Sequence, residues 1–137
     1  MFPARTLIGC VLALVVLVGC TQKPATLNSV SGKVLYKGAL LHDGVIVFSP
    51  DTSRGESGAI AYGKIKNDGT YTLTTGESSG AAAGWYRVTI SSEASTGAPY
   101  DPAPISRIPE KYRDPLLSQL QCEVKANRDN HLDFNLD

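Results

Sequence analysis

The chain has 137 residues, with 13 basic and 13 acidic side chains for a formal net charge of zero. With no run of Lys or Arg, that balance gives no electrostatic footprint for nucleic acid and no polybasic patch for anionic lipid, so nucleic-acid binding is set aside. A chain of this length buries one modest core and has no room for a second folded domain beside it.

The first patterned element is a lone Arg5 followed by an apolar run from Leu7 to Val18. Crossing a bilayer takes about 20 apolar residues, so this shorter run reads as the hydrophobic region of a secretory signal. It closes on Leu17-Val18-Gly19-Cys20, which resembles the lipobox cut by lipoprotein signal peptidase. Residues 1–19 are therefore expected to be a lipoprotein signal peptide, and Cys20 the acylated, palmitate-bearing N-terminus of the mature chain. The other reading is an ordinary secretory peptide whose cleavage site happens to contain a cysteine. Cleavage removes Cys10 and acylation takes Cys20, which leaves Cys122 alone and excludes an intramolecular disulfide. Residues 20–28 carry Pro24 and no hydrophobic period, and are expected to be the lipidated cysteine and its tether. Eight extended residues reach about 25 Å. The domain would thus face outside the cytoplasm on the cell membrane or the outer membrane, with the lipid on Cys20 as its membrane contact. Thr21, rather than Asp, after the cysteine resembles a signal permitting export to the outer membrane.

From Ser29 to Asp137 the pattern has period two and no convincing helical period. Val30, Val34 and Tyr36 alternate with Ser31, Lys33 and Lys37, interrupted by Leu35. Gly44-Val45-Ile46-Val47-Phe48 is more continuously apolar, which predicts a central strand ending at Ser49-Pro50. Ile60, Tyr62 and Lys64 alternate with Ala59, Ala61 and Gly63. Asn67-Asp68-Gly69 before Thr70-Tyr71-Thr72-Leu73-Thr74 is a hairpin signal. Tyr86, Val88 and Ile90 are expected inward, opposite Trp85, Arg87, Thr89 and Ser91. Leu120, Cys122 and Val124, then Leu132, Phe134 and Leu136, complete the set. Seven short strands without helices imply an all-β fold, a seven-stranded Greek-key β-sandwich of transthyretin-like or immunoglobulin-like kind, with a small closed barrel as the alternative.

Several of these segments carry a resemblance. Gly32-Lys33-Val34 with Tyr36-Lys37-Gly38, Gly44-Val45-Ile46-Val47-Phe48, Asp68-Gly69-Thr70-Tyr71-Thr72-Leu73-Thr74 and Gly84-Trp85-Tyr86-Arg87-Val88-Thr89-Ile90 resemble the carboxypeptidase regulatory-like, transthyretin-like domain of small bacterial lipoproteins. A segment similar to Ile108-Pro109-Glu110-Lys111-Tyr112-Arg113-Asp114-Pro115 usually precedes the last two strands there. The resemblance covers nearly all of residues 29–137 and rests on turn and core motifs. It implies an adhesive or accessory β-sandwich rather than an enzyme.

Catalytic readings find little support in the residues. Gly76-Glu77-Ser78-Ser79-Gly80 matches G-x-S-x-G, yet it runs into Ala81-Ala82-Ala83-Gly84 and another strand instead of the helix that a nucleophile elbow needs. His42 and His131 lie in no ligand spacing and read as surface histidines. The Tyr-Arg pair at Tyr112-Arg113 echoes only superficially the C-terminal motif of transthyretin-like hydroxyisourate hydrolases. Cys122 falls on an inward face and reads as a small buried hydrophobe. Asp43, Asp51, Glu56 and Asp68 read as solvated turn carboxylates, not a calcium site. No catalytic or metal-ligating residue is assigned and no cofactor is expected.

Two features remain as binding candidates. Trp85, the single tryptophan, lies on the outer sheet face by alternation, as a hot spot for a protein partner or a stacking platform for a sugar ring. The other reading is that a loop such as Gly97 to Ile108 folds over it. The segment from Ser92 to Pro115 holds five of the eight prolines and offers Tyr100, Tyr112 and Arg113 as contacts. For Tyr112 the favoured reading is that it closes an edge of the sandwich with Ile108. The expected function is a non-catalytic binding or structural module at the cell envelope, for a protein partner first. A carbohydrate-binding module is the alternative, and a hydrolase a distant third.

Overall fold

The structure is a computed structural model that describes residues 24–94 and 105–137. Cys20 and Tyr100 lie outside the described residues. In chain order the strands are β1 (Leu27–Asn28), β2 (Val30–Tyr36), β3 (Ala39–Leu40), β4 (Gly44–Pro50), β5 (Ala61–Ile65), β6 (Thr70–Thr72), β7 (Thr74–Thr75) and β8 (Ser78–Ser79). They continue with β9 (Ala81–Ala82), β10 (Gly84–Ser91), β11 (Glu93–Ala94), β12 (Ile105–Ser106), β13 (Leu120–Val124), β14 (Asn130–His131) and β15 (Phe134–Leu136). The helical elements among the described residues are two 3₁₀ turns, Thr52–Arg54 and Glu110–Arg113.

The fold is all-β, with a larger sheet facing a smaller one. The larger has the order β13-β10-β4-β5-β7-β8. The smaller is built on β2, with β14 and β15 parallel along one side and β3 and β6 antiparallel along the other. Alternation decides what lies between them. Ile46 and Phe48 of β4, Tyr86, Val88 and Ile90 of β10, and Cys122 and Val124 of β13 are buried from the larger sheet. Val30 and Val34 of β2, Tyr71 of β6, and Phe134 and Leu136 of β15 are buried from the smaller. Phe48 joins the two layers, with ring centroids 5.7 Å from Tyr86, 5.9 Å from Phe134 and 6.4 Å from Tyr71. Aromatic side chains of this size dominate the apolar area a small core removes from water.

The hairpin signal is realised as a tight turn. Gly69 N donates to Lys66 O at 2.9 Å, Gly69 takes φ +78°, and Asp68 Oδ1 accepts from the Thr70 amide and hydroxyl. β4 is central as expected, but its apolar run is not buried on both sides, because Val45 and Val47 point outward and Val45 is exposed.

In β5 the small residues face the interior. Ala61 and Gly63 are buried while Tyr62 and Lys64 point out, since a Cβ on Gly63 would lie 2.4 Å from Thr72 O on the crossing strand. The folded part also begins before Ser29. β1 pairs with β9, and the buried Asn28 side chain accepts from Asn127 N at 2.9 Å. Ile108 and Tyr112 are core residues.

Candidate functional site

The outer face of the larger sheet carries the side chains that the core does not use. Along β10 these are Trp85, Arg87, Thr89 and Ser91, all partly exposed. Antiparallel register sets Arg87 between Ser49 of β4 and Gln121 of β13, and Trp85 beside Glu123.

Trp85 is on this face, but its indole is not open. The Arg54 guanidinium lies over the ring, 4.0 Å from its centroid, and Arg54 Nη2 donates to Gln121 Oε1 at 3.3 Å. The cover comes from the 3₁₀ turn after β4, and residues 97–104 of the segment considered as a cover lie outside the described residues. Stacking of this kind uses the negative face of the indole for a cation that keeps its other hydrogen bonds.

Arg54 is held there by Asp51, whose reading as a solvated turn carboxylate is overturned: it is only 1% exposed. Asp51 Oδ1 accepts from Ser53 N at 3.1 Å, Ser53 Oγ at 2.6 Å and Arg87 Nε at 3.0 Å, and Oδ2 lies 3.4 Å from Arg54 Nε. The physical reason is pairing at long range. Asp51 N donates to Trp85 O at 2.9 Å, which extends the β4–β10 ladder by one step and tucks the carboxylate beneath Arg87. The Ser53 hydroxyl, with Arg87, holds the Asp51 carboxyl below its usual value against the opposing effect of burial. A buried charge needs this degree of satisfaction. Glu56 Oε1 accepts from Trp85 N at 3.2 Å, and Arg87 Nη1 donates to Pro115 O at 3.4 Å. Sequence reasoning missed the cluster, although Asp51 immediately before Thr52-Ser53-Arg54 is an N-cap signal.

Beside the cluster, the middle of the face is apolar and open. Val45 is 41%, Tyr62 48% and Ile60 53% exposed. Val47, opposite Tyr62 across the β4–β5 pair, bridges them. At one end of this strip a depression of about 390 Å³ is lined by Gly44, Val45, Tyr62, Gly63, Lys64 and Ser91. Tyr62 was legible as strand but not as a site, because the smallness of Ala61 and Gly63 is what turns it outward.

The remaining candidates are dispersed. Arg113 is exposed at the end of the second 3₁₀ turn, while Tyr112 is buried there with its hydroxyl against the Asp137 carboxylate. His42 is exposed with Nδ1 against Asn67 O, and His131 Nε2 lies 3.1 Å from Asp133 Oδ1. Ser78 is exposed in β8, across a Gly76-Glu77 turn from Thr75, with no helix after it. Burial pushes the Cys122 thiol up to about 12, so it carries no thiolate near neutrality. No group of three His, Cys, Asp or Glu side chains able to hold a metal occurs among the described residues. No helix of the described residues is long and apolar enough to cross a membrane.

Compared with known proteins, the chain matches no family model, no curated protein and no solved structure.

Proposed function

We propose that the chain is a lipid-anchored β-sandwich outside the cytoplasm that acts as a non-catalytic binding module at the cell envelope, engaging a protein partner through the outer face of its larger sheet. In this reading the two sheets form a seven-stranded Greek-key sandwich of the carboxypeptidase regulatory-like kind, and Cys20 carries the lipid. The observation that carries it is the open strip of Val45, Ile60 and Tyr62 in the middle of an otherwise polar face. A large aromatic ring flanked by aliphatic side chains and rimmed by Lys64, Thr74 and Thr89 is the composition of an interface centre.

Trp85 and Arg54 belong to the same face as a rigid, cationic border. A sugar ring stacking on Trp85 has first to displace Arg54 from the indole and from Gln121, whereas a protein partner meets both side chains in place. Carbohydrate binding, the second reading, therefore falls to Tyr62, whose side chain is open.

The test is a photo-crosslinking residue at Val45 in intact cells, with the chain recovered afterwards by antibody. The expected result is one discrete envelope-protein adduct that disappears when Tyr62→Ser is added. Absence of any discrete adduct from Val45 overturns the protein-partner reading, and saturable quenching of tyrosine emission by a polysaccharide then favours the second. Cys20→Ala should move the chain from the membrane to the soluble fraction, and a chain that stays on the membrane refutes the anchor.

A further inference from the structure

The most exposed large apolar side chains among the described residues are adjacent: Leu116 is 72% and Leu117 61% exposed. Their backbone is pinned. Asp114 Oδ1 accepts from Leu116 N at 2.7 Å and Leu117 N at 3.2 Å, and Asp114 O accepts from Ser118 N at 2.9 Å. Ser118 Oγ in turn donates to Val88 O at 2.7 Å, which ties the turn to β10. The pair therefore projects from a preorganised apex, and little conformational entropy is lost when it is buried against something. The apex stands at the β13 edge of the sandwich, where Leu117 shares a depression with Tyr112, Leu120 and Asn135.

We propose that Leu116 and Leu117 insert into the bilayer that holds the anchor, so that the domain rests on its β13 edge and leaves the outer sheet face open to a partner. This rests on the lipid-anchor reading of Cys20. The chain preceding the fold supplies the geometric argument. Six residues lie between Cys20 and Leu27, and the seven backbone steps reach about 23 Å when extended. Leu27 pairs with Ala82, and Ser118 is bonded to Val88, six residues further on, a separation on the order of 20 Å along strand. An extended tether is thus long enough to cover that separation along the strand, which allows the lipid on Cys20 and the apex to meet the same bilayer surface.

Charge points the same way. Arg107, Lys111 and Arg113 are balanced by Glu110, Asp114 and Asp137, the last paired with Lys111 at 3.1 Å, so the contact is apolar and should not depend on salt. Two leucines bind a bilayer weakly from solution, but a short tether makes the contact intramolecular at millimolar effective concentration.

The experiment uses the full lipidated chain in phosphatidylcholine vesicles with acyl-chain bromine as quencher. Trp85→Phe removes the native indole and supplies the blank, and a single tryptophan is then placed by Leu117→Trp or, at the opposite edge of the larger sheet, by Glu77→Trp. Both positions are exposed turn residues, so the fold is retained. Insertion by about 5–10 Å predicts at least about two-fold quenching for Leu117→Trp and none for Glu77→Trp, unchanged at high salt. A Leu117→Trp signal that is unquenched while the chain floats with the vesicles overturns the inference, as does quenching that salt abolishes. A chain that fails to float with the vesicles refutes the anchor reading, and this inference falls with it.

Discussion

Tyr71 Oη donates a 2.5 Å hydrogen bond to the carbonyl oxygen of Leu132, joining β6 to the break between β14 and β15. The same oxygen occupies the space above Gly32, where a Cβ would lie only 1.9 Å from it. The C-terminal strand breaks at Leu132–Asp133 because its carbonyl turns inward. Asp133 Oδ1 then accepts from Lys33 N at 2.9 Å in place of a ladder bond. Burial raises the Tyr71 phenol above its ordinary value, so it stays a donor throughout the accessible pH range.

Tyr71→Phe should therefore remove the partner of a part-buried carbonyl and destabilise the fold by about 0.5–1.5 kcal/mol. Gly32→Ala should cost more, since backbone rather than a flexible side chain must yield. Urea unfolding followed by circular dichroism checks both, and equal stabilities for Tyr71→Phe and the parent would show that the bond contributes nothing.

Acid should destabilise the fold through three carboxylates that folding makes harder to protonate. The Ser53 hydroxyl and Arg87 lower Asp51, the Thr70 hydroxyl and amide lower Asp68, and Tyr112 with Lys111 lowers Asp137. A folded-state pKa below the unfolded value gives stability that is complete above the unfolded value, about 3.9, and is lost as pH falls through the folded one. The melting temperature should thus be flat near neutrality and fall below about pH 4. Asp51→Asn should start lower, because Arg87 and Arg54 lose their buried counter-charge, and should fall less steeply with acid. Parallel curves for the two proteins would remove Asp51 from the acid response.

The stacking of Arg54 on Trp85 is open to a direct optical check. Acrylamide should quench the native indole slowly, and Arg54→Ala should raise the quenching constant by uncovering the ring. Arg54→Lys should give an intermediate value, since an ammonium keeps the charge but loses the planar overlap and the bond to Gln121. Identical constants in all three would mean that the indole is not covered in solution.

How much of this was legible depended on the range of the interaction involved. The alternation of Tyr86, Val88 and Ile90 with Trp85, Arg87 and Thr89 is local, and it placed every side chain of β10 on the correct face. The Gly69 turn was legible for the same reason. Asp51 was not, because its burial depends on Ser49 pairing with Arg87 across a long sequence separation. Nor was the exposure of Leu116 and Leu117, since two leucines after a proline carry no period that assigns them to a face. Their outward position follows from Asp114 capping both amides, a contact that the sequence permits but does not impose.

Cys122 sits inward on β13, facing Tyr86 across the pair with β10, and is 9% exposed. Its thiol is a poor donor and an equally poor nucleophile at this burial. Reaction with a disulfide reagent should be slow in the native state and should accelerate in proportion to the unfolded fraction as urea is added. Cys122→Ser puts a hydroxyl where Tyr86, Leu120 and Val124 offer apolar surface, and should destabilise by about 1–3 kcal/mol. Cys122→Val, a change of shape without a new polar atom, should cost less than about 1.5 kcal/mol. Should the thiol react at the same rate in water and in denaturing urea, the burial of β13's inner face would be wrong, and with it the closure of the core at the edge from which Leu116 and Leu117 project.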